Sequence, residues 1–244
     1  MNSYRDSHIG KGAEYHVTFI ENASRYVMWE LEKGILDKIL SSCTRLDDKK
    51  YLDFACGTGR IVGYVGRRFS CAIGMDISAS MLEVAMKQSP FATFVQGDIT
   101  CDDLLDQERF DVITAFRFFP NAEPALRANV MERLARRLKP GGRLIINNHK
   151  NEGSLLLRVA RIFGKGDPNN MTSLEMEELI SSCHLTIESR YPIGILNWTD
   201  TLTVRPRSLA VRLERALTRV TTLNSLAQNV VFVCVKPAEE CQEK

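Results

Sequence analysis

The segment Tyr51-Leu52-Asp53-Phe54-Ala55-Cys56-Gly57-Thr58-Gly59-Arg60 constrains this chain more than any other. An apolar run passes into small residues that let the backbone turn sharply and approach a ligand closely. The turn then enters a helix whose first N–H groups have no intrahelical partner and favour a negative group. Strand, tight turn and helix N-terminus in that order predict a nucleotide-cofactor loop. The loop by itself leaves the cofactor open. A dinucleotide fingerprint of the form G-x-G-x-x-G needs its third glycine at position 62. Val62 stands there, and Gly63 comes one residue late.

Around this loop the chain alternates. Short apolar runs occur at Tyr51–Ala55, Cys71–Met75, Ala92–Gln96, Phe110–Phe116 and Arg143–Asn147. Helical spacing occupies Ser78–Lys87 and Pro124–Leu138, the second ending at the stop signal Lys139-Pro140-Gly141-Gly142. Strands alternating with helices predict a parallel sheet covered on both faces. Ahead of it, Val27, Met28, Leu31, Ile35, Leu36, Ile39 and Leu40 recur at helical spacing, predicting an amphipathic helix over Ala23–Ser42. Beyond Lys150 a helix is expected over Ser154–Phe163, stopped by Gly164. Thr172 with Glu175 resembles a capping box opening a helix to Ser182. Strands are expected at Leu185–Tyr191 and Asn229–Lys236, both in the same sheet, because neither has apolar surface enough to stand alone. The insertion between them carries Leu209, Leu213, Leu217 and Val220 on one helical face, among Arg205, Arg207, Arg212, Arg215 and Arg219. Such a stripe is expected in the core with its charges solvated, in a segment that shapes the acceptor pocket.

Composition excludes several classes. With 32 basic and 30 acidic residues the formal net charge is +2, so no global field holds a nucleic acid. The 7 cysteines form no CxxC pair and no Cys/His ligand spacing, which reads as free thiols in a reducing compartment and no metal site. Met1 to Gly10 is polar without an apolar h-region, and no run approaches the ~18 apolar residues of a membrane span. A cytoplasmic location is expected, membrane contact is not, and the oligomeric state is left open.

Asp53 followed by Cys-Gly-Thr-Gly resembles the first motif of the class I S-adenosylmethionine-dependent methyltransferases, and the rest of that family's series follows between about Tyr51 and Asn148. The resemblance implies a Rossmann-like α/β fold: a mostly parallel seven-stranded sheet with helices on both faces, an N-terminal helical cap and an insertion before the last strand. It implies one domain over residues 1–244, with a cap at 1–48, a cofactor-binding core at 49–150, and acceptor-side helices with the last two strands at 151–244. It implies S-adenosyl-L-methionine as cofactor and S-adenosyl-L-homocysteine as product. Asp53, Ala55, Cys56, Gly57 and Gly59 then face the methionine and ribose, and Gly57 and Gly59 should not tolerate side chains. Asp76, with Ile77 beside it, accepts the ribose hydroxyls, Ser78 being the better cap for the next helix. Met81 packs on the adenine, Asp98 accepts its amino group, and the Ile99 N–H meets a ring nitrogen. Phe116 faces the reacting methyl, while Asp111 is structural. The family's first motif often has Gly where this chain has Ala55, a small departure.

The acceptor is less constrained. Phe116-Arg117-Phe118-Phe119-Pro120-Asn121 lacks the acid or Asn followed by paired prolines that base methyltransferases carry, so no nucleic acid is expected as partner. No carboxylate cluster suits a metal-assisted transfer. The reading is metal-free O-methylation of a small metabolite or a sugar hydroxyl, a small-molecule or glycan acceptor. N-methylation of a small amine, or a silent cofactor-binding member acting through a partner, is the alternative. His149, just past the fifth strand, is the first candidate base, titrating near the ordinary imidazole value of about 6.5. His16 on the N-terminal segment is the second. Arg117 and Tyr15 are the substrate-binding candidates, with Phe19 beside Tyr15 and His16, whereas His184 reads as structural.

Overall fold

The apolar runs become strands because helices bury them on both faces. In the computed structural model, which describes residues 22–101, 104–164, 170–196 and 204–238, these are β1 (Lys50–Phe54), β2 (Cys71–Asp76), β3 (Thr93–Gln96), β4 (Phe110–Ala115) and β5 (Leu138–Asn148). They alternate with α2 (Arg60–Val65), α3 (Ala79–Gln88) and α4 (Pro124–Arg137), behind α1 (Ala23–Ser41). After β5 come α5 (Leu155–Ile162), α6 (Ser173–Ser182), β6 (Thr186–Ile193), α7 (Arg207–Leu217) and β7 (Asn229–Val235). The seven strands form one sheet in the order β3-β2-β1-β4-β5-β7-β6. The first five run parallel, and β7 is antiparallel to both of its neighbours. The expected Rossmann-like sheet is present, and both late strands belong to it.

Strand periodicity divides the core in two. Leu52, Phe54, Ile113 and Leu144 enter one layer with Val130 and Leu134 of α4 and Met176 and Ile180 of α6. Tyr51, Val112, Ile145 and Val233 enter the other with α1, α2 and α7. Burial, at about 1.5–3 kcal/mol for each fully covered aliphatic side chain, holds α1 on the sheet through Val27, Leu31, Leu36 and Leu40. Its first turn is capped by Asn22, whose Oδ1 accepts from Arg25 N at 2.9 Å. The expected capping box is present at Thr172 and Glu175, and Gly164 follows α5 at φ 72°.

Three local expectations change. Lys139-Pro140-Gly141-Gly142 does stop α4, but β5 begins at once. The ladder passes from Phe110↔Leu138 to Val112↔Arg143, so the four residues bulge out of it. Lys139 Nζ then reaches Asp111 Oδ2 at 2.7 Å, which also accepts from Lys50 N, giving Asp111 its structural part. Secondly, Ser78 is the N-cap of α3 but its side chain makes no capping bond. Asp76 Oδ1 accepts the Ser78 N–H instead, at 2.9 Å.

The third change concerns α7. Leu209 and Leu213 are 40% and 39% exposed and Val220 46%, so the leucine stripe faces outward. Ala210, Val211 and Glu214 are buried in its place. On this face α7 packs against α1. Glu214, wholly buried, accepts backbone N–H groups from Gly194, Ile195 and Leu196 at 3.2, 3.1 and 2.8 Å. The loop after β6 therefore dictates which face of α7 turns inward, and apolarity loses. Glu214→Ala strands those three donors and should cost about 2–4 kcal/mol, at roughly 1–3 per buried unsatisfied group with partial rehydration. The check is a lower urea midpoint at unchanged slope. A midpoint equal to the parent's would mean that the loop finds other acceptors.

Candidate active site at the carboxyl edge of the sheet

Connection order reverses between β1 and β4: β2 and β3 lie outward of β1, and β5 lies outward of β4. Loops leaving the two strands diverge there and open a crevice, the usual ligand site of an open α/β sheet. A cavity of about 930 Å³ occupies it, lined by the loops after β1 to β5, by α1, and by Gln228 and Asn229. All the cofactor-side candidates named from sequence line this cavity, as do Arg117 and His149. Tyr15, His16 and Phe19 lie outside the described residues. No described residue of α7 lines it; α7 instead backs α1, which does.

The loop after β1 is built from left-handed residues, Ala55 at φ 51°, Gly57 at 55° and Gly59 at 81°. A Cβ added to Gly57 would meet nothing within 4 Å, so the space left by its missing side chain belongs to the cavity. Gly59 answers to a second constraint. Its Cβ would stand 2.9 Å from Ala85 Cβ, so its glycine also lets α2 pack on α3. A valine there would damage the fold as well as the pocket. Ala55 carries a conformation that costs an L-residue roughly 1 kcal/mol, which is why glycine is the common choice at such a turn.

Three carboxylates hold this half of the cavity in shape. Asp53, 1% exposed, accepts from Val62 N at 3.0 Å and from Thr114 Oγ1 at 2.7 Å. Burial pushes its carboxyl up to about 7, against the pull of those donors and of Arg60. Asp76 Oδ2 accepts from Gly57 N at 2.8 Å, so this side chain braces the loop and starts α3 at once. Asp98 Oδ1 accepts from Thr100 N at 2.9 Å and Thr100 Oγ1 at 2.7 Å, fixing the turn after β3. Ile77 lies beside Asp76, while Met81, Ile99 and Phe116 are buried in the cavity wall.

The other half is built on a network that the sequence reading missed. Glu32, wholly buried on α1, pairs with Arg60 at 2.7 Å and accepts from Asn147 Nδ2 at 3.4 Å and Asn229 Nδ2 at 3.1 Å. Asn147 Nδ2 also donates to Asn229 Oδ1, and Asn147 Oδ1 accepts the Arg117 N–H at 2.7 Å. Arg60 in turn lies over the Trp29 ring, 4.4 Å from its centroid. One signal was available: Glu32 interrupts the apolar stripe of α1, four residues after Met28 and four before Leu36. His149 stands beside this network. Its Nε2 is 3.5 Å from Asn121 Nδ2, and its Nδ1 is buried with no hydrogen-bond partner among the described residues. Burial, with Arg117, Lys150 and Arg60 nearby, pushes the imidazole well below its ordinary value. Titration near 6.5 is therefore not expected in the free protein, and the ring is neutral at physiological pH.

Comparison with known proteins gives a match over part of the chain. Residues 52–142 match the family model described as a methyltransferase domain. A magnesium protoporphyrin IX methyltransferase from Synechocystis, solved with bound S-adenosylhomocysteine, superposes with a TM-score of 0.68 over 95% of this chain and 97% of that one, at 14% identity. Residues 52–142 thus resemble a methyltransferase domain, on the fold of a solved S-adenosylmethionine-dependent methyltransferase. A dTDP-4-amino-2,3,4,6-tetradeoxy-D-glucose N,N-dimethyltransferase from Saccharopolyspora spinosa is 34% identical over 122 residues, 48% of this chain and 47% of that protein. A ubiquinone biosynthesis O-methyltransferase from Vibrio vulnificus is 26% identical over 156 residues, 58% of this chain and 65% of that protein. The chain thus spans about half of the first relative's length and just under two thirds of the second's.

S-adenosylmethionine suits this geometry: a glycine cradle opens into the cavity, and two braced carboxylates stand at the end of β2 and just past β3. Asp76→Ala should weaken S-adenosylhomocysteine by about 2–4 kcal/mol, at ~1.5–3 per ion-assisted bond with partial replacement by water. Calorimetry showing parent-like affinity would remove Asp76 from the site. Asp53 gives a stability test. Its folded value lies above the unfolded ~3.9, so its contribution is full below about pH 4 and is lost as pH rises through about 7. Asp53→Asn removes that loss, and the urea midpoint of the variant should fall less than the parent's between pH 5 and pH 7.5. Equal falls would mean that the carboxyl is ionised throughout.

Proposed function

We propose that this chain is a methyltransferase that moves a methyl group from S-adenosylmethionine to a hydroxyl of a small metabolite or sugar, without a metal. One observation carries the choice of a hydroxyl: a neutral imidazole, His149, lines the cavity with Nδ1 buried and unbonded among the described residues. Among the described residues the carboxylates lining the cavity are Asp53 in β1, Asp76 at the end of β2 and Asp98 just past β3. None of these belongs to the β4 and β5 side to hold an ammonium, and this favours O- over N-methylation.

The cofactor supplies an electrophilic methyl on a sulfonium. The chain's own residues position the acceptor, exclude water and deal with one proton. Asp53, Ala55, Cys56, Gly57 and Gly59 shape the methionine end, while Asp76, Ile77, Met81, Asp98 and Ile99 hold the adenosine. Phe116 closes the wall beside the reacting carbon. His149 takes the hydroxyl proton at Nδ1, which needs the tautomer protonated at Nε2. Asn121 Nδ2 leaves that tautomer open, since it is engaged at 2.7 Å with Arg117 O and only at 3.5 Å with the ring. The acceptor base is thus held, but weakly basic while the cavity is empty of acceptor. Tyr15 and His16 remain the candidates for closing the site from the N-terminal side. N-methylation of an amine, the reaction named for the Saccharopolyspora relative, is the second reading and requires no base.

His149→Ala separates the two. With a hydroxyl acceptor found by screening phenols, glycosides and amines against labelled S-adenosylmethionine, turnover should fall ~10²-fold or more while S-adenosylhomocysteine affinity holds. The parent's pH–rate profile should carry its acidic limb below 6.5, and the variant should lack it. Unchanged turnover would eliminate this base and transfer the assignment to the amine reading.

A further inference from the structure

The apolar stripe of α7 lies on the face turned away from the core, the reverse of the usual arrangement for a helix packed on a sheet. At about 100° per residue, Leu209, Leu213 and Ala216 fall within an arc of about 60°, and Arg212 stands beside that arc. All four are exposed, as are Arg205 before the helix, Arg215 on it, and Arg219 and Val220 after it. A second segment repeats the combination. Ile162 ends α5 and Phe163 follows, 79% and 74% exposed, with exposed Arg158 and Arg161 close before them in the chain. The connections to the two segments meet at the carboxyl edge of the sheet. Ahead of α5, Asn151 donates its N–H to Gln228 O at 3.1 Å and its Nδ2 to Ala227 O at 2.8 Å, in the connection from α7 to β7. That edge holds the cavity, which Lys150, Gln228 and Asn229 line. Tyr26 lines it too, and Arg207 at the start of α7 lies over the Tyr26 ring, 5.3 Å from its centroid.

Charge on these segments is mostly of one sign. Residues 197–226 carry five arginines against Asp200 and Glu214, and Glu214 is buried and engaged by three backbone N–H groups. Residues 154–164 carry two arginines and no acid, while Glu152 just ahead of them pairs with Arg161 at 3.7 Å. On α1, against which α7 packs, Glu30 pairs with Lys33, Glu32 with Arg60 and Asp37 with Arg68. Aliphatic and aromatic side chains exposed among arginines match a surface whose outer layer is anionic and whose next layer is hydrocarbon. The apolar tips enter the acyl boundary, and the guanidinium groups stay with the phosphates on stems long enough to reach them. A nucleic acid would use the arginines and leave Leu209, Leu213, Ile162 and Phe163 in water. A protein partner would need one matching contiguous surface, whereas a bilayer accepts separate points. We infer that α7 and the end of α5 dock this protein on an anionic phospholipid surface, with the mouth of the cavity beside the contact. No described helix is long and apolar enough to cross a membrane, so the contact is interfacial. The sequence argues against such contact only while the leucine stripe is placed in the core, and the structure turns that stripe outward.

Co-sedimentation of the full chain with sucrose-loaded vesicles tests this. Phosphatidylcholine vesicles containing roughly one third phosphatidylglycerol should bind the protein, and phosphatidylcholine alone should bind it roughly tenfold more weakly or less. Added salt should weaken the binding without abolishing it, because salt screens the arginines and not the apolar contact. Three paired variants separate the parts: Leu209→Asn with Leu213→Asn, Ile162→Asn with Phe163→Asn, and Arg212→Gln with Arg219→Gln. Each pair should lose roughly tenfold or more in affinity for the anionic vesicles. Their urea midpoints should match the parent's, since all six side chains are exposed. Ser208→Glu is a control that truncates nothing apolar. It adds a carboxylate to the exposed first turn of α7, where a helix tolerates one, and should weaken vesicle binding in the same direction. Absence of binding to the anionic vesicles overturns the inference. So does unchanged affinity in either apolar pair, which would leave the arginines to a hydrophilic polyanion. A parent that dimerises through Leu209 and Leu213 by light scattering, and ignores vesicles, would give this face to a second copy and overturn it too.

Discussion

Glu32 is a carboxylate without exposure, and what surrounds it explains the shape of the site. Removing an ion from water costs several kcal/mol even after relaxation, so a buried carboxylate persists only when geometry supplies close partners. Here they come from three distant parts of the chain: Arg60 after the cofactor loop, Asn147 at the end of β5 and Asn229 at the start of β7. Through these bonds α1 is fixed over the carboxyl edge of the sheet, where it becomes a wall of the cavity. Arg60 stacks on Trp29 from the same helix and Arg117 is positioned through Asn147. One desolvated charge thus sets the relation between the cap and the catalytic edge.

The fold was largely readable from sequence because its rules are local. Apolar runs bounded by turn residues, the helix stop after α4 and the capping box at Thr172 each work within a few residues. That Gly57, Asp76 and Asp98 come together around one cavity was readable for the same reason, since they sit at or just past strand ends whose positions follow from the pattern. What failed was non-local. The orientation of α7 depends on Glu214 meeting three N–H groups about twenty residues away, and no leucine count foresees that. Asn147 and Asn229 look like the ends of ordinary strands, and their meaning appears only when α1 brings Glu32 between them. His149 was found, but its electrostatic setting was not, because Arg60 and Lys150 join Arg117 only in the folded molecule.

That setting alters how a histidine here can work. An isolated imidazole would be partly protonated near neutrality and so partly disabled as a base. Surrounded by cations and buried, it is fully deprotonated, but it holds a captured proton poorly. A ring in that condition suits a reaction in which the proton is soon passed on. It would serve badly as a permanent store of charge.

β7 carries a consequence for how the protein is made. It enters the sheet between β5 and β6, yet it comes last of the seven strands in the chain. During synthesis β5 would present an unpaired edge until β7 emerged, with β6 lacking the neighbour that ties it to the sheet. Glu32, made almost two hundred residues earlier, would also wait for Asn229. This bond of large sequence separation is then one that completes the α1 side of the cavity, and closing it is the slow kind of event. A ribosome-bound chain halted before residue 229 would hold the glycine loop after β1 beside an unfinished cavity wall. The cradle would exist before the enclosure around it.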